Sequence, residues 1–221
     1  MAAERNFQMF CVALQPLLTA HPYELLQLNE IRSDFAKVMQ VQMEKMWAAK
    51  LGLDAFHSGL FSELFVLMAQ TPVDYTIFFR ELSTVPEDIV PLKKSFYRAM
   101  NGAQAASPEE VDKRWTEWLT KWRSLIGIDS MPDSAADRLR FREVLSSRMK
   151  LVNPKYSMRE WLVAPAYQQA AKGNYALLRE LQDVMTDPYA EQSKAIEDKY
   201  YRLKPPELFD VGGLSYYSCS S

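Results

Sequence analysis

Apolar residues recur at intervals of three and four positions along almost the whole chain, which is the period of an amphipathic α-helix. The clearest stretch is 23–50, with apolar residues at Leu28, Ile31, Phe35, Val38, Met39, Met43, Met46 and Trp47. No stretch shows the sustained apolar/polar alternation that is typical of a half-buried strand. The pattern therefore predicts an all-α fold, with helices near 6–19, 23–50, 58–70, 73–83, 87–100, 108–125, 133–149, 156–172, 175–185 and 188–202.

Three of these helices follow a capping residue and a proline. Thr71-Pro72-Val73-Asp74 and Ser107-Pro108-Glu109-Glu110 each combine a cap hydroxyl, a preset proline φ and an acidic side chain near the positive helix end. Asp187-Pro188 predicts another start. Residues 101–106 predict a flexible connector, and 203–213 contain Pro205-Pro206 and Gly212-Gly213. We therefore expect one helical domain at 1–203 and a tail at 204–221 that ends Ser-Cys-Ser-Ser.

Composition excludes several classes of function. Of 221 residues, 48% are apolar and 24% are charged, as in globular proteins, and the net charge of -2 gives no basic footprint for nucleic acid or an anionic membrane. No apolar run reaches the ~18 residues of a membrane span. Only 7 glycines, 2 cysteines and 2 histidines are present. We therefore expect no nucleic-acid or membrane partner, and no phosphate loop, metal site or other cofactor site in this chain.

Side chains that could carry chemistry have simpler structural interpretations. Cys11 shares an apolar helical face, which favours a small core residue over a nucleophile. His21 and His57 stand at predicted helix starts and are interpreted as capping or surface residues rather than metal ligands. Three acidic residues could include an acid/base pair, although cap and surface positions explain them more simply: Glu63, Asp74 and Glu81.

Two further groups have the spacing of one helical face. Trp115, Trp118 and Trp122 favour packing in the core or against a partner over a ligand cage. The methionines at 39, 43 and 46 are interpreted in the same way, as an adaptable part of the core.

The tail contains two candidates. Asp210-Val211-Gly212 has the letters of a metal-binding Asp-x-Gly, but its proline-flanked position favours a turn. Cys219 follows Tyr216 and Tyr217 in a small, polar terminal segment, so we expect an accessible thiol. Its interpretations are a redox-active thiol or an incidental surface cysteine.

Several blocks of sequence follow one another in a characteristic order. They are Asn6-Phe7-Gln8-Met9-Phe10-Cys11-Val12-Ala13-Leu14-Gln15-Pro16-Leu17-Leu18, Lys50-Leu51-Gly52-Leu53, Asp74-Tyr75-Thr76-Ile77-Phe78-Phe79-Arg80-Glu81-Leu82, Asn153-Pro154-Lys155-Tyr156 with Arg159, Gly173-Asn174-Tyr175, Pro188-Tyr189 with Glu191-Gln192, Pro205-Pro206 and Ser218-Cys219-Ser220-Ser221. In this order the blocks resemble the C-terminal part of the selenoprotein O family, which are pseudokinase-fold protein adenylyltransferases.

The resemblance implies that the chain is the multi-helix C-terminal region of a protein-kinase-like fold, followed by a short irregular tail. It also implies an activity that transfers AMP from ATP to Ser, Thr or Tyr hydroxyls of proteins, with ATP and Mg as cofactors of the full-length member. The family's phosphate-binding, catalytic and metal-binding residues lie upstream of the matched region, so the resemblance assigns no catalytic, cofactor-binding or metal residue here. Only Cys219 fits a family position with a role, that of a terminal cysteine or selenocysteine linked to redox control.

Three hypotheses follow. The chain is a C-terminal region whose partner is the missing N-terminal kinase-like domain or an equivalent protein surface, with protein substrates for the full-length protein. Alternatively, it is a standalone, non-catalytic helical module for protein interaction that derives from the same family. A complete enzyme with an unrecognised site is the least favoured. The compartment stays open: mitochondrial for a full-length eukaryotic member and cytoplasmic for a bacterial one.

Overall fold

A computed structural model of the chain describes residues 2–97, 107–131 and 134–209. Within these ranges the α-helices are α1 (Ala2–Leu14), α2 (Pro22–Lys50), α3 (Ser58–Gln70), α4 (Tyr75–Leu82), α5 (Pro108–Leu125), α6 (Ala135–Lys150), α7 (Glu160–Ala170), α8 (Ala176–Thr186) and α9 (Lys194–Tyr200). The same residues contain no β-strand, only an antiparallel bridge between Val73 and Phe96. The predicted all-α fold is confirmed. In this described part of the chain, no helix is long and apolar enough to cross a membrane.

The chain divides into two compact units, Met1–Ala48 and Ala49–Ser221, called unit 1 and unit 2 below. In unit 1, the Phe7 ring of α1 stacks on the Phe35 ring of α2 with centroids 4.4 Å apart. Cys11 is only 1% exposed, which confirms its interpretation as a core residue.

The three methionines of α2 are exposed, so their interpretation as core residues is wrong. Met39, Met43 and Met46 are 37%, 43% and 37% exposed. The physical reason is length: α1 has 13 residues and α2 has 29. At ~1.5 Å per residue, α1 spans about 20 Å and α2 about 44 Å. One short helix therefore cannot cover the whole apolar stripe of the longer one.

Three tryptophans of α5 form the centre of unit 2. Trp115, Trp118 and Trp122 are each at most 1% exposed, which confirms the prediction of core packing. Their indole N–H groups donate, in that order, to Thr71 Oγ1 at 3.2 Å, to the Leu60 carbonyl at 3.1 Å and to the Leu51 carbonyl at 2.7 Å. Because each buried indole N–H has an acceptor, the cluster packs α5 against α3 and the end of α2 without an orphaned donor.

One of the predicted proline-associated helix starts is confirmed and one is shifted. Ser107 caps α5 and accepts a hydrogen bond from the Glu110 N–H, as expected. Thr71 instead ends α3, and the N-cap of α4 is Asp74. The intervening segment is held in extended form by the Val73–Phe96 bridge, so the predicted helix cannot begin at Thr71.

The third predicted start, at 187–188, is wrong because α9 begins later and is capped by Ser193. The Pro188 carbonyl instead accepts hydrogen bonds from the backbone N–H groups of Lys155 and Tyr156 at 2.8 and 3.1 Å. These bonds also keep Lys155 and Tyr156 themselves out of a helix. As a result, the helix predicted at 156–172 begins only at Glu160.

The helix predicted at 87–100 is not present in its described residues, which contain only a 3-10 turn at Leu92–Ser95. Pro91 explains the difference, because a proline has no N–H to donate and disfavours helical geometry at the preceding residue. Pro165, by contrast, lies inside α7 and on its exposed side. The predicted connector at 101–106, the Asp210-Val211-Gly212 turn and Cys219 lie outside the described residues.

Candidate functional site

A group of charged and polar side chains in unit 2, most of them buried, forms the candidate functional site, called the charge network below. It consists of Asp74, Arg80, Glu81, Asn153, Lys155, Arg159, Glu191 and Tyr201. Five of these are at most 7% exposed: Asp74, Arg80, Glu81, Asn153 and Lys155. Burying a charge is costly unless it is paired and hydrogen-bonded, so the partners of each group decide what the network can do.

Asp74 joins the start of α4 to the segment before α7. Its Oδ1 accepts the capping hydrogen bond from the Ile77 N–H at 3.0 Å and a second one from Arg159 Nη2 at 2.7 Å. Its Oδ2 accepts from Arg159 Nη1 and, at 3.2 Å, from the Tyr97 hydroxyl. Burial and the negative charge of Asp74 raise the pKa of Tyr97. The predicted capping role of Asp74 is confirmed, and both of its carboxylate oxygens are engaged.

The Arg80 side chain donates four hydrogen bonds. Its Nη1 donates to the carbonyls of Lys150 and Asn153 at 3.2 and 3.0 Å. Its Nη2 donates to the Tyr189 carbonyl at 3.0 Å and to Glu191 Oε1 at 2.7 Å. One guanidinium therefore ties α4 to the end of α6 and to the turn that follows α8, using the fixed fork geometry that a lysine lacks.

Glu191 supplies a carboxylate to both buried cations. Its Oε1 pairs with Arg80, and its Oε2 accepts from Lys155 Nζ at 2.5 Å. Burial opposes the charged form of Glu191, but the hydrogen bonds from Lys155 and Arg80 outweigh it and lower the pKa of Glu191 to about 2. Burial likewise opposes the ammonium of Lys155, yet its bonds to Glu191 and Glu197 raise the pKa of Lys155. Both groups are therefore charged at neutral pH.

Asn153 connects the end of α2 to the end of α4. Its Nδ2 donates to the Lys50 carbonyl at 2.9 Å and to Ser83 Oγ at 3.0 Å, while its Oδ1 accepts from Lys50 Nζ at 3.0 Å. The same ammonium lies 4.9 Å from the centroid of the Phe79 ring and 5.4 Å from that of Tyr75. Burial lowers the pKa of Lys50. A single buried amide thus satisfies groups from two helix ends.

Glu81 closes the network on its other side, and its predicted surface position is wrong. It is 6% exposed, and its Oε1 accepts from the Tyr201 hydroxyl at 2.9 Å while its Oε2 accepts from Lys94 Nζ at 3.1 Å. Burial, together with the adjacent Glu81 carboxylate, raises the pKa of Tyr201 well above its usual value. Glu81 points inward because it lies within the buried part of α4, near Phe78.

The other predicted site residues lie apart from the charge network. Glu63 is exposed and pairs with Lys121 Nζ at 2.9 Å, so its predicted surface position is confirmed. His57 caps α3, with Nδ1 accepting from the Leu60 N–H at 3.0 Å, and this prediction is also confirmed. His21 is exposed.

The chemistry of the network is that of a structural brace. Its carboxylates accept hydrogen bonds from cations, and its cations donate to carboxylates or carbonyls, so the geometry favours fixed positions over proton transfer. In the ranges described, no three or more His, Cys, Asp or Glu residues are grouped to hold a metal ion. An open cleft of ≈ 810 Å³ borders Tyr201, and its walls include Ile77, Lys94 and Lys194. Lys94 pairs with Glu81, and Lys194 pairs with Asp198.

Sequence reasoning did not assign a role to the central members of the network, namely Arg80, Asn153, Lys155 and Glu191. The signal that could have found them was present. All four fall inside the short sequence blocks 74–82, 153–156 and 188–192 on which the family resemblance was based. A charged residue at an apolar-face position, such as Arg80 directly after Phe79, indicates a buried partner.

Comparison with known proteins identifies similar sequences along the chain. The family model for protein adenylyltransferase SelO matches residues 1–186. A protein nucleotidyltransferase YdiU from Aromatoleum aromaticum is 34% identical over 99% of this chain and 39% of its own length. The protein of the same name from Tolumonas auensis is 31% identical, again over 99% of this chain and 39% of its own length. A third, from Flavobacterium johnsoniae, is 28% identical over 99% of this chain and 40% of its own length. The chain therefore spans about two-fifths of the length of these curated relatives.

Proposed function

This chain belongs to the SelO family of protein adenylyltransferases, and from that premise we propose that it is the C-terminal helical region of such an enzyme. Almost all of this chain aligns with only 39% of the Aromatoleum relative, which supports a role as one part of a longer protein. In the proposal, the kinase-like remainder transfers AMP from ATP to Ser, Thr or Tyr hydroxyls of protein substrates. The helical region packs on that remainder and holds its shape.

The observation that carries this proposal is the apolar surface of unit 1. Only Cys11 and Ala48 are buried among its described residues, whereas large apolar side chains are exposed on α1, on α2 and on the 3-10 turn between them. These include Phe10 at 58%, Leu17 at 74% and Ile31 at 58% exposure. A two-helix unit of this size rarely buries enough surface to be stable alone, and a large exposed apolar surface indicates a partner. The kinase-like remainder is the partner that we propose.

In the proposal, none of the described residues binds Mg-ATP. The network carboxylates are ion-paired, and no carboxylate cluster for a divalent cation is found in the described ranges. We therefore place ATP and Mg binding in the remainder of the protein and derive no catalytic step from this chain. The charge network has the supporting role, because it fixes α4, the end of α6 and the turn after α8 relative to one another.

The proposal gives Cys219 a separate role as a redox-active thiol in the tail. Its support is the resemblance of Ser218-Cys219-Ser220-Ser221 to the family's terminal motif. The compartment that we propose depends on the source organism: it is mitochondrial for a eukaryotic member and cytoplasmic for a bacterial one.

A second candidate function is a standalone, non-catalytic module for protein interaction. The buried tryptophan cluster and the paired charges of unit 2 favour it, because they give this unit a core of its own. In this case the exposed surface of unit 1 would bind a separate protein instead of the remainder of the same chain.

The intact mass of the endogenous protein, captured with an antibody against this region, separates the two functions. A mass far above 25.5 kDa supports the C-terminal region of a longer enzyme. A mass near 25.5 kDa contradicts that proposal and supports the standalone module. As a control, the same antibody should capture the recombinant 221-residue chain at its calculated mass.

A further inference from the structure

The charge network reaches the surface of unit 2 beneath a group of exposed apolar side chains, called the Tyr189 patch below. It consists of Tyr75, Leu151, Val152 and Tyr189, all of which are exposed, with Leu151 at 75%. These residues come from the first turn of α4, from the segment after α6 and from the turn after α8. Exposed leucines and tyrosines are common singly, whereas a group of them indicates an interaction site.

Hydrogen bonds of the network bring these segments together. The Lys150 carbonyl, directly before Leu151, and the Tyr189 carbonyl both accept from the guanidinium of Arg80. The Tyr75 ring packs 4.7 Å from the Phe79 ring. The patch is therefore held by buried groups of fixed geometry, and such preorganisation reduces the entropy lost when a partner binds.

Two lysines border the patch, and the described residues compensate their positive charge only in part. Lys50 faces two aromatic rings and the Asn153 amide, and no carboxylate of the described chain forms an ion pair with it. Lys150 lies 3.6 Å from Glu191, but that carboxylate already serves Arg80 and a second buried cation. A partner with carboxylates at these positions would meet complementary charge, and its apolar side chains would cover the tyrosines and Leu151.

We propose that the Tyr189 patch docks the part of the longer family protein that this chain lacks, through an apolar segment flanked by Asp or Glu. The inference rests on the proposed function and specifies one surface through which it operates. The aligned portion is 39% of the Aromatoleum relative, so in that relative a large further surface belongs to the same polypeptide. Tyrosine, which supplies two of the four patch residues, is also enriched at the centres of protein interfaces.

Zero-length crosslinking tests the proposal on the endogenous protein. A carbodiimide joins a lysine amine to a carboxylate only when the two groups touch, and mass spectrometry identifies the joined peptides. We expect Lys50 and Lys150 to be joined to Asp or Glu residues outside the 221 residues described by this sequence. Lys121 should be joined to Glu63 and Lys199 to Glu180, because these pairs are in contact within the chain, and they serve as internal controls.

A matched pair of variants tests the apolar part of the patch. Replacing both Leu151 and Tyr189 by Ser should lower the yield of the external crosslinks at least threefold, whereas Leu139→Ser, at an exposed position of α6, should leave it unchanged. An intact mass well above 25.5 kDa with Lys50 and Lys150 joined only within this region would overturn the docking surface while leaving the proposed function standing. A mass near 25.5 kDa would overturn both.

Discussion

Replacing Arg80 by Met removes the central donor of the charge network while keeping a side chain of similar length. The variant leaves the carbonyls of Lys150, Asn153 and Tyr189 without the guanidinium that now satisfies them. Glu191 loses one of its two buried cations but keeps its bond to Lys155. The dominant effect is therefore on the three carbonyl oxygens, which lie where α4 packs against the rest of unit 2.

The expected loss of stability follows from these contacts. A buried acceptor that loses its donor costs about 1–3 kcal/mol. The Glu191 side chain is 56% exposed, so losing its pair with Arg80 adds at most about 1 kcal/mol. The Tyr189 patch lets water reach part of this site, which reduces the sum of the three carbonyl contributions. From the three carbonyls we therefore expect Arg80→Met to lower the free energy of unfolding by about 3–5 kcal/mol, out of the ~5–15 kcal/mol that is typical of a domain.

Urea unfolding followed by tryptophan fluorescence measures this loss. Trp115, Trp118 and Trp122 are all buried in unit 2, so their emission reports on the unit that contains Arg80. Arg80→Lys should fall between the wild type and Arg80→Met, because it keeps the positive charge but loses the fork that reaches several acceptors at once.

Lys121→Met is the matched control. Lys121 pairs with Glu63, and their side chains are 57% and 48% exposed, so removing this pair should cost less than about 1 kcal/mol. If Arg80→Met loses no more stability than Lys121→Met, the network does not hold unit 2 together, and the reasoning from its buried hydrogen bonds is refuted.

Three further predictions concern other parts of the chain. Gly52 has a φ of +68°, and an added Cβ would lie 2.7 Å from a side-chain atom of α6, whereas Gly173 has a φ of +81° and open space around it. In urea unfolding, Gly52→Ala should therefore lower the free energy of unfolding by about 2–4 kcal/mol and Gly173→Ala by about 1–2 kcal/mol. Equal losses would contradict the close approach of α6 to Gly52. Because the folded pKa of Glu191 is about 2, below the ordinary value of 4.5, its contribution to stability is complete above pH 4.5 and is lost as the pH falls toward 2. Glu191→Gln should flatten unfolding free energy against pH in that window, and an unchanged profile would argue against the pairing. If Cys219 is a redox-active thiol, iodoacetamide should modify it at least tenfold faster than the buried Cys11 in the folded chain, as measured by peptide mass spectrometry. Equal rates would remove the case for a special role.

Helices and the centre of the core could be predicted because their signal is local. The spacing of Trp115, Trp118 and Trp122 places them on one face of α5, and a face of this kind has to be buried. The cap at Ser107 was equally clear, since the residues that form it are adjacent in sequence. Burial of Cys11 followed from the same kind of local pattern.

The helix boundaries that were predicted wrongly depend on distant contacts. Thr71-Pro72-Val73-Asp74 has the same local pattern as the start of α5, but the bridge from Val73 to Phe96 keeps it extended. The start predicted at 188 is displaced because the Pro188 carbonyl is occupied by Lys155 and Tyr156. No window of a few residues contains this information.

The charge network could not be assembled from the sequence for the same reason. Asp74 meets Arg159 across 85 positions, and Arg80 meets Glu191 across 111 positions. The exposure of the α2 methionines was missed because the spacing of a helix shows that it has an apolar face but not what covers that face. In this chain the covering helix α1 is too short.

Because Glu191 lies 111 positions after Arg80, the ribosome synthesises the two partners at well-separated times. At the usual ~5–20 residues per second, about 5–20 s pass between the emergence of Arg80 and that of its carboxylate partner. During this interval α4 carries Arg80, whose hydrogen-bond acceptors at 150, 153, 189 and 191 have not all been made, so α4 lacks the contacts that fix it in unit 2. Unit 2 therefore completes its folding only after the turn at 187–192 has been synthesised. Before that point, the incompletely folded nascent helices are the form of the chain that a chaperone would bind.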